Sequence, residues 1–201
     1  MGYSKYKTLK QVVDKFGIRV RRKPLITELS PIEASDWLKA SMEYASMTAL
    51  SNEKVKSERI ISPVLTEVHR LHKTQLSFFS GEELNVKPED DLNGPCDFFF
   101  SAIPDAYLLE APIVSLTEAK DEDLDYGIAQ CTAQMIAAQI FNEQNNTPVA
   151  AIWGCSTTAI EWKFIKLENN TLYIDETSYS TVKLEELLGA FQMIFEEIFS
   201  I

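Results

Sequence analysis

Residues 113–155 carry the pattern that most limits how this chain can fold. Ala111-Pro112-Ile113-Val114-Ser115-Leu116 begins an apolar stretch that predicts a buried strand over Ile113–Ala119. Residues 124–144 then predict a helix, and Pro148–Cys155 a second buried strand. A hairpin turn is enough for antiparallel neighbours, whereas a connection the length of a helix is what a parallel pair requires. The expectation is a mixed α/β domain built around that crossover.

The flanking segments extend this frame. Ser30-Pro31-Ile32-Glu33 combines a capping serine, a proline at the first helical position and a capping-box glutamate. It predicts a helix to about Leu50, with Trp37, Leu38, Met42, Ala45 and Ala49 inward. Ile60, Ile61, Val64, Leu65, Val68 and Leu71 predict a second helix over 56–72, kinked or restarted at Pro63 after Ser62. Strands are expected at Gln75–Ser80 with Glu83–Val86 around Gly81, at Cys96–Ser101 after the Asn93-Gly94-Pro95 turn, and at Ile160–Leu167 paired with Leu172–Asp175. A last helix covers 184–201. The order is α-α-β-β-β-α-β-β-β-α, with one domain across 1–201.

Charge separates the chain into unequal parts. The 201 residues carry a net charge of −11, which argues against indiscriminate binding to nucleic acid. Residues 1–23, however, hold five Lys and three Arg (Lys5, Lys7, Lys10, Lys15, Arg19, Arg21, Arg22, Lys23) against Asp14 alone, a balance of +7 that leaves −18 for the remainder. Two readings stand: a solubilising extension, or an arm that touches phosphates. No apolar run is long enough to span a membrane, and the start has neither a secretory pattern nor a myristoylation pattern. Cys96, Cys131 and Cys155 lack CxxC spacing and read as reduced thiols of a cytoplasmic protein rather than zinc ligands.

The chemistry concentrates where the Ile113–Ala119 strand ends. Alternation places Val114, Leu116, Glu118 and Lys120 on one face. Asp97 begins an earlier Phe-rich strand, and antiparallel pairing of the two strands would bring it beside Glu118. Two such carboxylates repel unless a cation or proton resolves them, and hard oxygen donors suit Mg²⁺ or Mn²⁺. The plain alternative is a turn-capping aspartate beside a structural ion pair. Glu161-Trp162-Lys163 repeats the Glu-x-Lys spacing in a hairpin strand and reads as an exposed cross-strand pair. His69 and His72 lack a third ligand, and Trp37, Trp153 and Trp162 read as core.

Gly94-x-x-Asp97, Glu118-x-Lys120 and Gln130-x-x-x-Gln134, in that order, resemble the PD-(D/E)XK nuclease superfamily. The helix bearing Ser57-Glu58-Arg59 is similar to the acidic helix ahead of the core in its Holliday-junction-resolvase and RecB-like branches. The chain is also similar to a group of hypothetical cyanobacterial proteins. The resemblance spans about residues 56–155 and implies a restriction-endonuclease-like α-β-β-β-α-β core. It implies metal-dependent cleavage of nucleic acid, with DNA expected. Asp97, Glu118 and the Ala119 carbonyl would be the metal ligands, Lys120 the catalytic lysine, and Gln130 a helix residue reaching the site. Glu58 would be the helix carboxylate, with Glu67 as its rival. The proline stands two residues before Asp97 rather than beside it, and Gln134 stands where RecB-like members often have Tyr. A non-catalytic nucleic-acid or protein interaction module that keeps the fold is the competing function. Apolar positions around more than half of the 184–201 helix predict a homodimer packed through it.

Overall fold

The computed structural model describes residues 2–200, and the crossover is its centre. Strand β4 (Ile113–Ala119) enters helix α5 (Leu124–Gln144), which returns the chain to β5 (Ala151–Thr157), parallel to β4. Asp123 caps α5 by accepting the Tyr126 N–H. Strand β2 (Ser77–Ser80) pairs antiparallel with β3 (Phe98–Ser101), and β3 pairs antiparallel with β4. On the other side follow β6 (Glu161–Glu168) and β7 (Thr171–Asp175), with the short β8 (Tyr179–Ser180) beside β6. The expected segment 83–86 is not a strand; only Glu83 bridges Pro95.

The basic N-terminus is folded into the domain rather than extending from it. Residues Leu9–Phe16 form α1, capped by Thr8 with a Gln11 capping box, and Arg19–Lys23 form β1, which adds parallel to β7 as the sheet edge. Tyr3, Tyr6, Val12 and Ile18 are buried. Apolar burial therefore secures this segment, while four of its eight basic residues, Arg19, Arg21, Arg22 and Lys23, lie along an edge strand where lysine and arginine discourage further pairing. The sheet is mixed and eight-stranded, in the order β1-β7-β6-β5-β4-β3-β2.

Each face has its own core. One contains Leu116, Phe99 and α5; the other contains Val114, Phe98, Phe100 and helices α2 (Asp36–Ser46), α4 (Ser62–His72) and α6 (Leu184–Phe199). A register shift opposite Phe100 and Ser101 turns Val114 away from Leu116, so the expected four-residue row is broken at its first member. Helix α6 uses its wide apolar surface within the chain: Leu187, Leu188, Phe191, Ile194 and Phe195 are buried, with Met193, Ile198 and Phe199 packed against them. The ground for expecting a homodimer is thereby removed.

Helix α2 starts at Ser35, not Ser30. Residues 30–32 lie across α6, where the Ile32 N–H donates to Glu185 and the Ser30 carbonyl lies 2.3 Å from where a Gly189 Cβ would sit. Ser35 caps Leu38, and buried Glu67 accepts both its backbone N–H and its hydroxyl. Glu67 thus supplies from α4 the carboxylate that a capping box takes from its own helix. Trp37 is 51% exposed and Ala49 is exposed, against expectation, and Leu71 is also at the surface.

Candidate active site

The approach to the site is made by an irregular helix. Residues Glu53–Lys56 (α3) lead into a π-helical stretch, Ser57–Ile61, and then into α4. Pro63 has no N–H for the Arg59 carbonyl, and the Ser62 N–H reaches back five residues to Ser57. The widened turn puts Ser57, Glu58 and Ser62 on a cleft of about 400 Å³ shared with Asp97, Ala119, Glu53 and Lys54.

Pairing of β3 with β4 brings the expected residues together at one sheet end. The Ala119 N–H donates to Asp97 Oδ2 at 2.8 Å. Lys120 Nζ donates to Glu118 Oε1 at 2.6 Å and to the Ala119 carbonyl at 2.7 Å. Glu118 Oε2 accepts from Gln134 Nε2 at 2.7 Å, so Gln134 is the helix residue bonded to Glu118. Gln130 is one turn earlier and part-buried, with its Oε1 unpartnered. Glu118 and Lys120 are nearly fully buried and are not on the wall of the cleft, which Asp97 and Ala119 face.

This burial makes the site electrostatically tense. Desolvation, with the charge of Asp97 added, pushes the Glu118 carboxyl up to about 8 against the pull of Lys120 and Gln134. Burial raises Asp97 too, opposed by the Ala119 N–H and Lys120. It works to lower the Lys120 ammonium, but the Glu118 carboxylate outweighs it and leaves that group raised.

No protein family, curated protein or solved structure matches the chain.

The remaining expected residues separate into site and scaffold. Glu58 lines the cleft beside Asp97 and pairs with Lys54 at 3.1 Å, an exposed contact of little energetic weight. Glu67 is committed to Ser35 and Arg70, which excludes it as a free helix carboxylate. His69 bonds the Leu76 carbonyl, and His72 packs on Phe195. Lys163 does not pair with a facing acid; it holds Glu176, Thr177 and Ser178 of the turn before β8.

Two neighbours carried no usable signal in sequence. Tyr126 presents its ring to Lys120 at 5.2 Å and to Lys7 at 4.6 Å, a contact that requires the N-terminal segment folded over α5. Ser156 on β5 donates to the Leu124 carbonyl and abuts Gly127. A Cβ on Gly127 would come within 2.1 Å of Ser156 Oγ and 3.0 Å of Lys120 Cγ, so glycine is what lets α5 approach the lysine.

Among the described residues, no three His, Cys, Asp or Glu side chains group as a metal cage. The available donors are two carboxylates and a carbonyl. That set suits a hard ion that keeps several waters and takes substrate oxygens, rather than a structural zinc. The Lys120 ammonium already bridges Glu118 and the Ala119 carbonyl, so these two oxygens present a position suited to positive charge.

Proposed function

We propose that this protein hydrolyses phosphodiester bonds of nucleic acid, with DNA as the substrate, through a restriction-endonuclease-like core using Mg²⁺ or Mn²⁺. The observation that carries the reading is the convergence of Asp97, Glu118 and Lys120 at one end of an antiparallel strand pair, beside a cleft that also contains Glu58. Asp97, Glu118 and the Ala119 carbonyl would hold the ion. When bound, it would supply charge neutralisation at the phosphate and a more acidic water. Lys120 is within reach of the same oxygens and would orient the attacking water or hold a phosphate oxygen. As the bond from water oxygen to phosphorus forms, the bond to the leaving oxygen breaks. Gln134 would fix the Glu118 carboxylate by its hydrogen bond.

A second reading has an observation of its own. Lys120 already holds a Glu118 carboxyl oxygen and the Ala119 carbonyl, which also fits a module that binds without cutting. Supercoiled, linear, branched and single-stranded DNA incubated with Mg²⁺, Mn²⁺ or EDTA separates the two. Hydrolysis predicts products only with metal, abolished in Glu118→Ala; binding alone predicts complexes without products, in both proteins.

A further inference from the structure

Helix α2 presents an exposed aromatic slot beside the cleft that contains Asp97. Trp37 and Tyr44 are 51% and 64% exposed, while Leu38 and Ala45 on the same helix are buried. Seven residues apart, the two side chains leave one side of the helix, their Cα atoms two turns and about 10.5 Å apart along its axis. Between them lie Ala40 and Ser41, the small residues of that face, so the space between the rings is open. Arg59 and Pro63 close the far side, giving a cleft of about 410 Å³ that shares Glu58 with the neighbouring one.

We propose that this slot stacks unpaired nucleobases on Trp37 and Tyr44, so that the substrate of the adjoining site is single-stranded nucleic acid or a junction with an unpaired segment. The proposal rests on the nucleic-acid reading above and adds the substrate class. A base is flat, and each ring offers its face to a separate base of one strand, since two helical turns are too wide for a single base to stack on both; stacking of this kind tolerates any sequence. Arg59 offers the same occupant a partner for its phosphate, while Glu58 on the rim is already paired with Lys54. Among the described residues Arg59 makes no ion pair. An apolar peptide side chain entering the slot would desolvate that guanidinium with nothing to compensate it, whereas a nucleotide brings its own phosphate. The shared Glu58 makes the two clefts continuous, so one strand could lie in both.

Intrinsic fluorescence reads the slot directly, because Trp153 and Trp162 are 2% and 0% exposed and Trp37 is the accessible indole. The full chain is titrated in EDTA, which keeps the measurement independent of cleavage, with a 12-nucleotide oligo-dT and with a blunt duplex of the same length. Single strands are expected to quench Trp37 and shield it from acrylamide, and the duplex to do so much less. Affinities of the variants are read from the anisotropy of a dye-labelled oligo-dT, which does not depend on Trp37: Trp37→Ala and Tyr44→Ala are each expected to weaken binding roughly 10-fold to 100-fold, while Trp37→Phe retains most of the affinity. Arg59→Gln is expected to make the salt dependence shallower by about 0.7 in slope. Both aromatics are at the surface, so circular dichroism should match the parent in every variant. Unchanged oligo-dT affinity in both alanine variants overturns the slot even if the protein cuts DNA. So does a Trp37-dependent dimer that buries the indole in sedimentation without nucleic acid. Quenching without any cleavage supports the slot and counts against hydrolysis instead.

Discussion

Replacing Glu118 by Gln should stabilise the metal-free protein at neutral pH, although it removes one half of a buried ion pair. The folded-state carboxyl lies at about 8, above its ordinary 4.5, because burial and Asp97 disfavour its charge more than Lys120 favours it. A group shifted this way contributes its full stability below about 4.5 and loses it as pH rises through about 8. Two and a half pH units separate 4.5 from pH 7, so at about 1.4 kcal/mol per unit the upper limit at neutral pH is about 3 kcal/mol. The amide retains an oxygen for Lys120. Its NH₂ then faces Gln134, which can turn over and offer its own unpartnered Oε1. That exchange leaves the Gln134 NH₂ unpaired and costs about 1 kcal/mol. The net gain is therefore at most about 2 kcal/mol, or at most about 4–8 °C in Tm for a chain of this size. Thermal melts in EDTA from pH 5 to pH 9 should show the two proteins converging near pH 5 and separating by pH 8, the variant higher. A variant less stable than the parent at pH 8 would refute the reasoning. Glu118 would then be an ionised anchor for Lys120, of the kind whose loss costs about 3–5 kcal/mol.

Other outcomes follow from the same geometry. Gly127→Ala should cost about 1–3 kcal/mol by overpacking and displace Lys120, lowering both Tm and any metal-dependent cleavage. Mn²⁺ should raise the parent's Tm by binding the folded state, and Asp97→Asn should abolish that rise. Glu67→Ala should lower Tm, at a cost of about 1–3 kcal/mol, because it leaves the Ser35 N–H and hydroxyl without their acceptor, while the Mn²⁺ response stays. Arg21→Gln with Arg22→Gln on the exposed edge strand should flatten the salt dependence of duplex binding by about 0.9 for each phosphate no longer neutralised; an unchanged slope would show that edge to be passive.

How much could be read in advance depended on whether the deciding interactions were local. Strand β4 and helix α5 fall at their expected residues because their apolar runs and the Asp123 cap are local signals. Asp97 and Glu118 could be paired because an antiparallel neighbour across a turn is a short-range inference. The start of α2 could not, since a contact with α6 overrides the Ser30 capping box and Glu67 completes the Ser35 cap from 32 residues away. Nor could the N-terminal segment, where Tyr3 reaches the Leu84 carbonyl and β1 adds beyond β7, pairings that charge counting does not reveal. The burial of Val114 away from Glu118 depends on one bulge. Trp37 at the surface breaks the usual link between tryptophan and core, and no local pattern announces it.

Single-turnover cleavage of a labelled DNA in Mn²⁺, compared across the parent, Asp97→Asn and Glu161→Gln, tests the central claim most directly. Both Glu-x-Lys motifs end or begin strands of one sheet, but the first lies beside a second acid, the half-buried Asp97 that faces the cleft. The account expects the Asp97→Asn rate to fall at least about 100-fold and the Glu161→Gln rate to stay within about two-fold of the parent, as for a surface change away from the site. Cleavage that survives Asp97→Asn and disappears in Glu161→Gln would contradict it and move the active site to the hairpin.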